Sequence, residues 1–222
     1  MTRIDSDPHA DQPVVSTGLT LDAATAVAIL VHGRNAGPRN ILELANALAH
    51  PAFMFLAPGA ANNTWYPLSF LAPRDQNEPF LSSALRRLDS LVAEVVVAGV
   101  PRERIVLLGF SQGACLASEF VATRPARWGG LVAFSGGLIG PPGTTWDTSA
   151  SLAGTPAFFG CSDVDAHVPR VRVEESARVF TAMGADVTLR IYPGMGHLVN
   201  DDELDHAQRI IVAAASTETR PQ

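Results

Sequence analysis

Short apolar runs recur along the chain at residues 27–31, 53–56, 105–108, 131–134, 157–159 and 187–192, and strand-like residues also fill 14–21. The runs are continuous rather than alternating, as strands buried on both faces require. Between them the apolar positions repeat at helical spacing. Leu81, Ala84, Leu85, Leu88, Leu91, Val92 and Val95 form the longest such stripe, with Pro79 near its start and Gly99 just past its end. Those are the boundary residues that helices prefer. Shorter helices fit 41–49, 112–123, 171–183 and 201–214, and Pro125 and Gly184 stop two of them. Strands alternating with helices predict an α/β domain: a mostly parallel, doubly wound sheet flanked by helices.

The 222 residues suit one such domain. The pattern predicts a polar N-terminal tail over 1–13, a single domain over 14–216 and a short tail over 217–222. No repeat or linker divides it. Two Pro/Gly-rich stretches, 57–78 and 136–153, read as loops that are long for a compact domain, and such loops often carry function. The chain is 47% hydrophobic and 17% charged, which excludes a disordered interaction protein.

Charge narrows the partners. The net charge is −6 and no Lys/Arg-rich run stands out. Nucleic acid and anionic membrane surfaces need a positive footprint, so neither is an expected partner. No basic segment precedes an apolar stretch near the start, and the apolar stretch 23–31 is too short to span a bilayer. The expectation is a soluble, cytoplasmic protein without an integral membrane segment; a homodimer is left open. Cys115 and Cys161 form no C-x-x-C pair, which gives zinc or dithiol chemistry little support. Both fall in apolar segments and read as small buried thiols. A disulfide between them stays open at this stage.

The most informative segment runs from the apolar residues 105–108 through Gly109-Phe110-Ser111-Gln112-Gly113 into a helical pattern. This is G-x-S-x-G in a strand–turn–helix setting. Such a turn holds a serine out of the sheet, where its hydroxyl can attack a carbonyl. Flanking glycines keep the turn uncrowded, and the helix N-terminus lies where negative charge will develop. No G-x-G-x-x-G is present, so a dinucleotide site is not expected. A serine nucleophile needs a base. His9 lies in the tail; His50 and His206 fit helix surfaces; His32 follows an early strand; His167 precedes Val168-Pro169. His197 is the candidate. It sits in Pro193-Gly194-Met195-Gly196-His197, directly after the last strand, and completes a Ser…Asp…His order. The acid should lie between, and Asp163 and Asp165 both qualify after the run 157–159. A metal site at Asp163, Asp165 and His167 would need more ligands than that loop offers. For an oxyanion, one amide would come from Gln112. The other would come from Arg34, after Val31-His32-Gly33; a plain surface charge is the alternative reading of the Arg34 side chain.

Together these residues resemble the carboxylesterase, lysophospholipase and acyl-protein thioesterase family of small α/β-hydrolases. Gly109-Phe110-Ser111-Gln112-Gly113-Ala114 is more specific than a bare G-x-S-x-G, and the match runs in order from His32-Gly33 to His197. The resemblance implies an α/β-hydrolase fold without a large cap domain. It also implies hydrolysis of a small-molecule ester or thioester through Ser111, His197 and an aspartate, with no cofactor and no metal. The family's acid stands in a D-x-x-V-P context, which here is Asp165 ahead of Val168-Pro169. The chain departs from the family at Cys161-Ser162, where His-Gly is common. It departs again at Asn35, where many members carry a second glycine; Asn tolerates positive φ better than most residues. The implied acyl groove is shallow and lipophilic, with Trp65, Leu138 and Met195 as expected lining residues and Tyr66 and Phe70 as further candidates.

Overall fold

The computed structural model describes residues 7–216, so the expected tail over 217–222 lies outside the described residues. The apolar runs become β1 (Val14–Gly18), β2 (Ala26–Val31), β3 (Phe53–Pro58), β4 (Ile105–Phe110), β5 (Gly130–Phe134), β6 (Pro156–Ser162) and β7 (Asp186–Tyr192). They form one sheet in the order β1-β3-β2-β4-β5-β6-β7. β1 pairs antiparallel with β3, and the remaining neighbours are parallel. The helices are α1 (Pro38–Leu42), α2 (Leu44–Ala47), α3 (Phe80–Val97), α4 (Gln112–Thr123), α5 (Arg170–Ala182) and α6 (Asp201–Ser216).

The continuous apolar runs of the inner strands exist because those strands feed two cores, whereas the edge strand β7 gives Val187, Leu189 and Ile191 to one core alone. Val27, Ile29 and Val31 of β2 pack with residues of α3, α4 and α5. Ala26, Ala28 and Leu30 point the other way, into a core with Ile41, Ala45 and residues of α6. β4 divides in the same manner, with Ile105 and Leu107 on one face and Val106 and Leu108 on the other. Burying each such side chain is worth about 1.5–3 kcal/mol, so a polar residue on either face is disfavoured.

Three expectations change. The helix expected over 41–49 is two short helices. Pro38, favourable in a first turn, starts α1 three residues earlier. Around Glu43 the bonding tightens to three-residue spacing: Glu43 N–H donates to Asn40 O at 3.3 Å, and Asn46 N–H to Glu43 O at 3.2 Å. The strand expected over 157–159 runs on to Ser162, because Gly160, Cys161 and Ser162 pair with Arg190, Ile191 and Tyr192. His9, expected in a free tail, is fully buried. Its Nε2 bonds Trp65 O at 2.9 Å and its Nδ1 accepts from Ala61 N–H at 3.0 Å. Burial lowers its pKa, which keeps the ring neutral.

α6 starts with a reciprocal cap. Glu203 N–H donates to Asn200 Oδ1 at 2.9 Å, and Asn200 N–H donates to Glu203 Oε2 at 3.0 Å. Glu203 is fully buried, and its other oxygen, Oε1, has no hydrogen-bond partner. A Cβ on Gly160 would approach that oxygen to 2.2 Å, so a larger residue there would displace the Glu203 carboxyl. Burial pushes the Glu203 carboxyl up from 4.5 to about 7. The protonated form is therefore the one the fold favours. Its contribution to stability is complete below the ordinary glutamate range and is lost as pH rises toward 7, by on the order of 3 kcal/mol. Glu203→Gln keeps an acceptor for Asn200 and cannot ionise. Urea unfolding at pH 5 and pH 8 is expected to show the variant gaining on the native chain at the higher pH; an equal difference at both would refute this.

Candidate active site

Ser111 joins β4, the fourth of seven strands across the sheet, to α4. Its backbone sits at φ 55°, ψ −120°, a conformation that costs a non-glycine residue about 1–3 kcal/mol. The strain persists because the neighbours fix it. Ser111 N–H donates to Phe134 O at 2.9 Å, on the adjacent strand end. A Cβ on Gly109 would meet Gly113 backbone at 2.4 Å, and one on Gly113 would meet Val31 O at 2.0 Å. Both glycines of the motif are thus steric requirements of packing β2, β4 and α4 together.

His197 enters from the loop after β7. Its Nε2 lies 2.9 Å from Ser111 Oγ, and its Nδ1 lies 2.7 Å from Asp165 Oδ2. These partners assign the tautomer: Nδ1–H donates to the carboxylate and Nε2 accepts from the hydroxyl. The Asp165 side chain is fully buried, whereas that of His197 keeps 19% exposure. Burial alone would raise the Asp165 carboxyl. The His197 contact and the amides of His167 (2.8 Å) and Val168 (3.0 Å) on Oδ1 outweigh it, and the net pKa is lowered. The site therefore holds an aspartate ion against the imidazole. Asp163 is exposed and does a different job, accepting from Gly194 N–H at 2.8 Å in the loop that carries His197. Ser162 Oγ holds the same loop through Gly196 N–H at 3.1 Å.

A cleft of about 510 Å³ opens over Ser111, and Gly33, Arg34, Gln112 and His197 all line it. A Cβ on Gly33 would stand 3.4 Å from the Phe110 ring and 3.5 Å from Ser111 Cβ, so this backbone passes close beside the serine. Asn35 does adopt positive φ, at 61°. The Arg34 side chain is exposed, as a surface charge would be, but it is also bonded: its guanidinium donates to the carbonyls of Tyr66, Pro67 and Leu68.

The expected lining is corrected in part. Tyr66 and Phe70 do line the cleft, but Trp65, Leu138 and Met195 are not among its walls. Trp65 is fully buried, with its indole N–H on His32 O at 2.9 Å. Leu138 is fully buried where Arg172 grips its loop through the carbonyls of Leu138, Gly140 and Pro141. Met195 turns its sulfur to Asn200 Nδ2 at 2.8 Å. Sequence reasoning missed Phe110 and His167, whose rings each lie 4.8 Å from that of His197. Their positions next to Ser111 and two residues after Asp165 were the available signal. Cys115 also lines the cleft. Both cysteines are free and buried, and burial pushes both thiols up to about 12.

A mostly parallel sheet that carries a serine on a strained turn at its centre, faced by a histidine from the last strand end, defines an α/β-hydrolase. The phospholipase/carboxylesterase family pattern matches residues 14–214, and the chain belongs to that family of serine-type hydrolases. It is 32% identical to acyl-protein thioesterase 1 of Eremothecium gossypii over 187 residues, which cover 78% of each protein. The phospholipase/carboxylesterase from Dyadobacter fermentans superposes with a TM-score of 0.86 at 36% identity, over 91% of this chain and 97% of that one. The carboxylesterase of Bacillus cereus, at 20% identity, shares the fold with a TM-score of 0.75 over 92% of this chain and 95% of that one.

Proposed function

We propose that the protein is a serine carboxylesterase that hydrolyses short to medium acyl esters through Ser111, His197 and Asp165. The observation that carries this reading is the unbroken hydrogen-bond chain from Ser111 Oγ through the imidazole to Asp165. Ser111 attacks the carbonyl as His197 Nε2 takes its proton, and the amides of Arg34 and Gln112 hold the oxyanion. His197 returns the proton to the departing alkoxide, which leaves an acyl-enzyme. Water then attacks by the same route. Asp165 keeps Nδ1–H fixed and stabilises the imidazolium at each proton transfer. The mechanism calls for no metal and no organic cofactor.

A cleft of about 510 Å³ is of ligand size, and Tyr66, Leu68 and Phe70 give it apolar wall for an acyl chain. Among the described residues no helix is long and apolar enough to cross a membrane. A small-molecule substrate in a cytoplasmic setting is the proposed context, consistent with two unpaired cysteines. A second reading, thioester hydrolysis at the same site, is favoured by the likeness to the Eremothecium thioesterase.

The test is kcat/KM on p-nitrophenyl esters from acetyl to octanoyl, on octanoyl thioesters and on long-chain triglyceride emulsions. Turnover of the short and medium esters, unaffected by EDTA and faster than that of triglyceride, is expected. Preference for triglyceride would overturn the acyl range. Loss of activity in EDTA would overturn the mechanism, and thioesters outrunning matched esters would select the second reading.

A further inference from the structure

The loop over 61–69 is tied to both sides of the proposed oxyanion site. On one side Asn35 N–H donates to Asn63 O at 2.8 Å, and Trp65 indole N–H to His32 O at 2.9 Å. The Arg34 guanidinium adds three bonds to successive carbonyls: Tyr66 at 3.0 Å, Pro67 at 2.8 Å and Leu68 at 2.6 Å. On the other side the buried Gln112 side chain accepts from Trp65 N–H at 3.0 Å and donates to Tyr66 O at 2.8 Å. One carbonyl, Tyr66 O, therefore receives a bond from each of the two residues whose backbone amides would hold the oxyanion.

We infer that the side chains of Arg34 and Gln112 are positioning residues that lock the two oxyanion amides to one another through Tyr66 O. The inference rests on the proposed acyl-transfer reading. Its physical basis is that oxyanion donors act by being aimed in advance at a charge that exists only in the transition state. Arg34 N–H belongs to the turn that follows β2 and Gln112 N–H to the first turn of α4. Nothing covalent holds these two segments at a fixed spacing, and small displacements of a positioned group cost up to about 10²-fold in rate. Strand pairing at Val31 and Gly109 holds the end of β2 against β4, and a shared acceptor that both side chains grip extends that hold to the turn carrying Arg34. The guanidinium fork suits the task, because its donors lie in one plane and can reach neighbouring carbonyls together. A lysine ammonium supplies a point charge and cannot span the same arc. The buried Gln112 bonds should matter more than those of the exposed Arg34, since water can replace the latter.

Substitution of either side chain leaves the backbone N–H in place, so positioning separates from donation. Arg34→Met is expected to lower kcat for p-nitrophenyl butyrate by about tenfold, and Gln112→Glu, which sets an acceptor against Tyr66 O, by about 10²-fold. KM should stay within about threefold, and an alkyl boronic acid that mimics the tetrahedral intermediate should weaken by the same factor as kcat. Arg34→Lys should recover part of the loss. The double variant should fall short of the product of the single losses, because both act on one carbonyl. Should Gln112→Glu fail to fold, the exposed Arg34 variants still decide the matter. An unchanged kcat and boronate affinity with a lower melting temperature would reduce the contacts to scaffolding. A raised KM with kcat intact would make Arg34 a substrate-binding group instead. Both outcomes overturn the inference. Failure of the underlying reading is distinct: the native enzyme would then neither turn over esters nor react with a fluorophosphonate.

Discussion

Ser111→Ala is expected to lower kcat for p-nitrophenyl butyrate by a factor on the order of 10⁴–10⁶, with the fold intact. The hydroxyl donates to His197 Nε2 and lines the cleft, so it is both activated and within reach of a substrate. The residual rate is what binding and oxyanion stabilisation supply without a nucleophile. A fluorophosphonate probe should label the native protein once, at Ser111, and leave the alanine variant unlabelled in intact-protein mass spectrometry. The fold should survive because the strained backbone at φ 55° is held by packing around Gly109 and Gly113, not by the hydroxyl. Ser111→Gly extends the test. Glycine adopts that conformation freely, so this variant should melt no lower than Ser111→Ala while being equally inactive. Undiminished labelling or turnover in Ser111→Ala would place the nucleophile elsewhere.

The parts of this site that were legible in the sequence are those set by local chemistry. A serine between glycines at a strand-to-helix junction carries its geometry in five residues, because any Cβ at Gly109 or Gly113 meets backbone. Pro193-Gly194-Met195-Gly196-His197 is readable for a different local reason: Gly194 and Gly196 sit at φ 67° and 80°, a backbone conformation that favours glycine. Strands buried on both faces announce themselves as unbroken apolar runs. What escaped depends on contacts far apart in the chain. Nothing near Trp65 says whether an aromatic residue in a long loop faces cleft or core; His32 O and the His9 ring decide it. Leu138 is buried because Arg172 gathers its loop from another helix. His9 sits in a polar segment yet packs against a residue 56 positions away. The end of β6 was misjudged because the apolar run stops before the pairing with β7 does.

Asp165→Asn is expected to lower kcat by about 10²–10⁴-fold, and Asp163→Asn by no more than about threefold. The extension of β6 is what separates them. Asp163 is still tied to the sheet edge, its N–H donating to Tyr192 O at 3.2 Å. Asp165, two residues on, has left the strand and meets the imidazole. Its Oδ1 accepts from two backbone amides, so an asparagine must place its carbonyl oxygen there. The NH₂ group then faces His197 Nδ1. Two donors cannot share that contact, so Nδ1 gives up its proton and accepts, and the remaining proton moves to Nε2. Nε2–H points at Ser111 Oγ and can no longer take its proton. Asp163→Asn has no such consequence, because its amide oxygen can still accept from Gly194 N–H. Asp163→Ala removes that bond, loosens the His197 loop and should fall between the two. The measurements are kcat on one soluble ester, circular dichroism as a folding control, and ¹⁵N NMR of the imidazole to locate its proton. The expected spectrum shows the proton on Nδ1 in the native enzyme and on Nε2 in Asp165→Asn. An inactive Asp163→Asn beside a normal Asp165→Asn would reverse the assignment of the acid while leaving the serine–histidine pair in place.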